Sequence, residues 1–202
     1  MNKNSRIYIA GHTGFIGSAV LAALKKRGYR NLICKIHKEL DLTSYEKVNA
    51  FFKRTKPEYV FLLAARVGGI HANSTYPAEF IYQNLAIQSN VIHSAYIHSV
   101  KKLVFPGSAC MYPKACPQPM KEEYLLSGPV EPTNEPFAVA KIAGIKMCQA
   151  YNRQYKTKYI CCVPATAYGP GDHFGLNGHV VSSLIERIHK AKVSGEKEAV
   201  VW

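Results

Sequence analysis

The stretch RIYIAGHTGFIGSAV, Arg6 to Val20, decides the fold. It opens with an apolar run, turns sharply through Gly11, Gly14 and Gly17, and continues as a helical pattern. A glycine triplet alone says little, but a triplet that closes a strand and opens a helix is the context a dinucleotide-binding turn requires. There Gly11 permits the tight turn, Gly14 lets the backbone approach a pyrophosphate, and Gly17 lets the helix pack close to the strand.

Outward from this turn the same alternation repeats. Strands are predicted at 6–11, 31–35, 58–65, 101–108 and 159–165, and helices up to about 27, at 44–55, 78–98 and 135–155, with an irregular, proline-containing segment at 109–133. Continuous apolar strands spaced by helices imply a parallel sheet covered on both faces, so the expected class is α/β, a doubly wound parallel sheet. The chain has 202 residues, enough for one well-buried domain with or without part of a second.

Composition removes several classes. No stretch approaches the apolar length that spans a bilayer, and the N-terminus lacks the features of a signal peptide, so the expected location is cytoplasmic. The six cysteines, Cys34, Cys110, Cys116, Cys148, Cys161 and Cys162, show no Cys-x-x-Cys spacing and no zinc-type histidine partners, so no metal is expected. A net charge of +13 fits attraction of anionic small molecules or a solvated surface. Its basic residues are scattered, without the cluster that a nucleic-acid footprint needs.

Selectivity between the two nicotinamide dinucleotides is read at the end of the second strand. The stretch CKIHKEL places Lys35, His37 and Lys38 there, with no acid directly at the strand end, which favours NADP. Glu39 lies beyond that end and is expected to cap or solvate the next turn. Asp41 either sits near the adenine or caps the helix that starts near Ser44.

A second motif, NEPFAVAKIAG at 134–144, carries Lys141 four residues after Phe137. That is the spacing of a Tyr-x-x-x-Lys pair on one helical face, whose tyrosine protonates the alkoxide left by hydride addition. Phenylalanine keeps the ring and deletes the acid.

These features, with AARVGGIHANSTYPAEFIYQNLAIQSNVIHSA, KLVFPGSACMYPK, EPTNEPFAVAKIAGIKMCQAYNRQY and LNGHVV, resemble the GDP-L-fucose synthase family, extended short-chain dehydrogenases of Rossmann type. The resemblance covers essentially the whole chain. It implies conversion of GDP-4-keto-6-deoxy-D-mannose to GDP-L-fucose, by epimerisation at carbons three and five and then reduction with NADPH. It also implies a homodimer through the helices near 78–98 and 135–155. The implied domains are an NADP-binding domain at 1–165 and the beginning of a truncated C-terminal substrate domain at 166–202, because family members are considerably longer.

Position by position, the resemblance gives Ser108 the hydrogen bond to the sugar ketone, Lys141 the nicotinamide ribose, and Cys110 and His179 the acid and base of epimerisation. On residue type alone, Cys110 would be a small buried hydrophobe and His179 a surface histidine. The cofactor is implied to lie along Gly11, His12, Thr13, Gly14, Phe15, Ile16 and Gly17, with Lys35, His37 and Asp41 at the adenosine end. Leu63, Ala64, Ala65, Pro106, Gly107, Lys141, Pro164, Ala165, Thr166 and Ala167 complete its site, while His179, Arg187 and Trp202 are implied to meet the GDP-sugar.

Three departures matter. Phe137 stands at the catalytic tyrosine position, Thr166 where the family has asparagine, and Thr13 where a basic residue is common. The apolar face of HVVSSLIERIHKA, at 179–191, would be exposed without the rest of a substrate domain. Besides a synthase impaired in reduction, a nucleotide-sugar epimerase without reductase activity and a non-catalytic dinucleotide-binding protein remain open.

Overall fold

The computed structural model describes residues 1–172, 174, 178 and 180–199. Five parallel strands form one sheet: β1 (Ile7–Ala10), β2 (Leu32–Ile33), β3 (Tyr59–Leu62), β4 (Lys102–Pro106) and β5 (Tyr159–Cys162), in the order β2-β1-β3-β4-β5. The helices are α1 (Phe15–Lys26), α2 (Tyr45–Thr55), α3 (Ile70–Thr75), α4 (Pro77–Ile97), α5 (Glu135–Tyr155) and α6 (Val180–Ser194).

Side-chain alternation along the strands divides the interior in two. Ile7 and Ile9 of β1, with half-buried Tyr59 and Phe61 of β3, pack with Leu24 of α1. The intervening Tyr8, Ala10, Val60 and Leu62 face the larger core, with Leu103 and Phe105 of β4, Val48, Phe51 and Phe52 of α2, and Val91, Ile92 and Ile142 of α4 and α5. The doubly wound reading therefore holds, because successive strand side chains point to opposite faces and each face finds helices.

Local signals explain most boundaries. Ser44 caps α2 by accepting from the Lys47 amide, and α5 has a proline in its first turn and stops where Lys156 adopts a left-handed conformation at φ 56°. Strand β2 is shorter than predicted, since the chain folds back through a turn in which the amides of Glu39 and Leu40 both donate to the Ile36 carbonyl. The segment 109–133 holds 3-10 turns at Ala109–Met111 and Glu122–Tyr124, with a third at Pro132–Asn134. Helix α3 is an addition: its Asn, Ser and Thr residues and the following proline read as loop.

On the sheet face opposite the larger core, Ile160 is 45% exposed, and α6 exposes Ile185 and Ile188. The exposed apolar stripe anticipated for this helix is present. Among the described residues, no helix is long and apolar enough to cross a membrane.

Buried Asn84 of α4 fixes the segment after β3: its Oδ1 accepts from the Arg66 amide at 2.9 Å, and its Nδ2 donates to the carbonyls of Arg66 at 3.0 Å and Phe80 at 2.8 Å. Asn84→Ala strands those backbone groups and is expected to cost about 2–4 kcal/mol, read as a lowered midpoint in urea unfolding. An unchanged midpoint would show that water replaces the amide.

Candidate active site

A parallel sheet of this order reverses between β1 and β3, and the crevice beyond the strand ends at such a point is where open α/β sheets bind ligands. The segments that follow β1 and β3 are in intimate contact there. A Cβ on Gly11, whose φ is +83°, would lie 2.6 Å from the Ala64 amide nitrogen, and the Leu63 amide donates to the Ala10 carbonyl at 2.9 Å. The Leu63–Ala64 backbone thus packs directly against the glycine turn.

The three glycines do different work. A Cβ on Gly17 would lie 1.9 Å from the Gly11 carbonyl oxygen, so only glycine lets α1 start this close to the turn. Around Gly14 the nearest protein atom to such a Cβ is at 3.4 Å, so the fold itself tolerates a side chain there. Gly14 is the N-cap of α1 without a side-chain cap, and the first turn of the helix holds no acid, which leaves amides and the positive end of the dipole facing the crevice. His12 Nδ1 is buried in the same turn without a partner. An open place for a Cβ, uncapped amides and an orphaned nitrogen fit a bound pyrophosphate. Thr13 and Ile16 are exposed and Phe15 is half-buried.

At the end of β2 the charges are partly paired. Glu39 does cap the turn, as expected, its Oε2 accepting from the Ile36 amide at 3.1 Å, but its Oε1 also holds the Lys35 ammonium at 2.5 Å. The Lys35 hydrogen bond, with the Ile36 amide, holds the Glu39 carboxyl below its ordinary range. His37 and Lys38 are exposed beside this pair. Asp41 does not cap α2; its Oδ1 accepts from the amide and hydroxyl of Thr43, and Ser44 is the cap.

Beyond β4 and α5 lies the reactive cluster. Gly107 is buried and its amide donates to the Cys162 carbonyl at 2.8 Å, joining the ends of β4 and β5. The Cys110 thiol donates to Ser108 Oγ at 3.1 Å across a 3-10 turn. Lys141, 5% exposed, donates from Nζ to the Pro106 carbonyl at 3.0 Å and lies 4.6 Å from the ring centroid of Phe105. Phe137, one turn earlier on α5, places its ring centroid 5.7 Å from the same Nζ.

Electrostatics follow from that burial. Desolvation lowers Lys141 to about 8, and the thiols of Cys110 and Cys162 partly oppose the shift. Burial pushes the Cys110 thiol up, offset in part by its hydrogen bond to Ser108 and by the Lys141 charge. Cys162, at the end of β5, was not singled out from sequence, although its place at a strand terminus was the available signal. Burial, and then Glu122, Cys116 and Glu123, push the Tyr112 hydroxyl above its ordinary value.

The segment after β5 is largely exposed. Pro164 is half-buried, Ala165, Thr166 and Ala167 are exposed, and the ring of Phe15 lies 4.0 Å from where a Cβ on Gly169 would sit. Arg187 is half-buried on α6. His179 and Trp202 lie outside the described residues.

Residues 7–202 match the NAD dependent epimerase/dehydratase family. The chain belongs to that family. It is 55% identical, over 203 aligned positions, to a putative GDP-L-fucose synthase 2 of Arabidopsis thaliana, covering 100% of this chain and 62% of that protein. It is 50% identical to the GDP-L-fucose synthase of Escherichia coli K12, covering 99% of this chain and 63% of the relative. Among solved structures, a GDP-D-glycero-L-gluco-heptose synthase from Campylobacter jejuni, determined in the presence of NADPH, matches with a TM-score of 0.91 at 47% identity, over 96% of this chain and 57% of that one. The chain therefore spans somewhat under two thirds of the length of these relatives.

Gly14→Ala is expected to leave thermal unfolding within about 1 kcal/mol of the parent and to weaken NADPH binding at least about tenfold, whereas Gly17→Ala unfolds or loses roughly 3 kcal/mol or more. Calorimetric titration and thermal melts distinguish the two, and equal behaviour would contradict the division of labour. Lys141 gives a pH signature. Its folded pKa lies below its unfolded value, so between about 8 and 10.5 the unfolded chain binds more protons and stability rises with pH through this group. The stability difference between parent and Lys141→Met should shift toward the parent by on the order of 3 kcal/mol across that window, measured by denaturant unfolding. A pH-independent difference would mean that the ammonium is solvated.

Proposed function

We propose that the protein is an NADP-dependent epimerase and reductase that converts GDP-4-keto-6-deoxy-D-mannose to GDP-L-fucose, with its reduction step slowed by Phe137. The observation that carries this reading is the grouping of Ser108, Cys110 and Lys141 at the carboxyl ends of β4 and β5, beside a turn built for a dinucleotide. The relatives' names, at 55% and 50% identity, supply the substrate. Exposed Lys38, with Lys35 released from Glu39, supplies positive charge to a 2′-phosphate, and exposed His37 supplies a ring N–H donor beside them. In this reading residues 1–165 form the cofactor domain and 166–202 begin a substrate domain, with Arg187 and Trp202 on the GDP portion. The protein works in the cytoplasm, as a homodimer through α4 and α5, where Tyr82 and Val139 are exposed.

Ser108 donates its hydroxyl to the sugar ketone, and a polarised ketone acidifies the protons on its neighbouring carbons. A thiol and an imidazole, Cys110 and His179, have ordinary pKa values near enough to neutrality to remove and return those protons. The buried Lys141 ammonium anchors the nicotinamide ribose and stabilises negative charge developing nearby. When bound, the reduced cofactor supplies the hydride. What Phe137 lacks is the phenolic proton for the resulting alkoxide.

Phe137 also favours a second reading, an epimerase without reductase activity. Incubation with GDP-4-keto-6-deoxy-D-mannose and NADPH in deuterated water tests both. The first reading expects deuterium at carbons three and five with slow NADPH oxidation, and a rise in oxidation of about 10² to 10⁴-fold in Phe137→Tyr. Deuterium without oxidation in either protein supports the second. No deuterium and no oxidation in either contradicts both.

A further inference from the structure

We propose that the Cys110 thiol, acting through Ser108, supplies the proton that Phe137 cannot. This rests on the reductase reading of the site. Two observations and one premise of that reading point to it. The hydrogen bond between the two residues runs in the required direction, from Sγ to Ser108 Oγ at 3.1 Å. Ser108 is the group that touches the ketone oxygen in that reading, so its own proton is the first the alkoxide meets. The Lys141 ammonium, buried against the Pro106 carbonyl, is the cation whose field reaches Cys110.

The step balances. Hydride from the reduced nicotinamide adds to the carbonyl carbon with its electron pair, and the carbonyl π pair moves to oxygen as an alkoxide. The alkoxide takes the proton of Ser108 Oγ, and that oxygen takes the proton of Cys110 Sγ. The negative charge ends on sulfur beside the Lys141 ammonium, and water later restores the thiol. A thiol is ordinarily an acid near 8.5 and a phenol near 10, so the cysteine can give the proton, while the extra transfer through Ser108 keeps the step slower than with a tyrosine in direct contact. Burial, which raises Cys110, keeps the thiol protonated at neutral pH and therefore able to give. The charged group that acts on Cys110 is Lys141 of α5, and the Cys162 thiol of β5 acts on that same ammonium. Cys110 is thus a positioning residue and proton store behind Ser108, in addition to any work it does at carbon.

Because loss of Cys110 also removes epimerisation, the test is a cycle of four proteins: parent, Cys110→Ala, Phe137→Tyr and the double variant, each followed by NADPH oxidation with the 4-keto sugar. If the relay operates, Cys110→Ala costs at least about tenfold more in the Phe137 background than in the tyrosine background. Equal costs in both backgrounds overturn the relay. A readout without turnover accompanies it: the pH dependence of Cys110 alkylation, followed by mass spectrometry, should shift upward in Ser108→Ala and Lys141→Met. An unmoved profile also overturns the proposal. Absence of reduction in Phe137→Tyr contradicts the reductase reading itself, and so marks a different failure from that of the relay alone.

Discussion

The Gly17 backbone lies so close to the Gly11 carbonyl that a single methyl group would sit 1.9 Å from its oxygen. That approach sets where α1 begins, and with it the direction of the helix dipole into the crevice. On the other side, Gly11 rests against the backbone of Leu63 and Ala64, so the same turn fixes the spacing of β1 and β3 at the reversal of the sheet. Strands β4 and β5 extend the sheet from there, and their ends bring Ser108, Cys110 and Cys162 toward Lys141. Displacing α1 would therefore disturb the crevice wall, while leaving the core between the sheet and α4 and α5 largely in place.

Much of this frame is legible because it is periodic. The bounds expected for α5 agree with Glu135–Tyr155, since a proline near the start and a polar, left-handed end bracket an apolar pattern of helical period. The alternate residues of β1 divide cleanly between two cores, which a continuous apolar run at a strand position already implies. Helix α3 was not legible, because six residues rich in Asn, Ser and Thr make too short a pattern to distinguish from a loop. The end of β2 was shortened by a turn whose stabilising contact, Glu39 with Lys35 and the Ile36 amide, joins residues outside any helix, where four-residue spacing has no standing meaning.

At the site, the residue types were readable and their partnerships were not. Ser108 and Cys110 are two positions apart, a spacing that puts side chains on different sides of a regular helix or on one side of a strand. Only the 3-10 turn at Ala109–Met111 shows that the thiol folds back onto the hydroxyl. Likewise Phe137 and Lys141 were expected on one helical face, and the ring does lie by the ammonium. What sequence could not supply is that the ammonium is buried and held by the Pro106 carbonyl, which turns a surface-type cation into a group with a lowered pKa. Asp41, open between adenine contact and helix cap, proved to fold onto Thr43.

The central claim is that the glycine turn and the ends of β3 and β4 form one dinucleotide crevice. Amide hydrogen exchange of the protein with and without NADP tests it directly. The account predicts that NADP slows exchange in the turn from His12 to Ile16 and in the segments after β3 and β4, and leaves the amides of α2 and the far end of α4 unchanged. Protection confined to other parts of the chain, or no protection at concentrations where NADP is shown to bind, would contradict it.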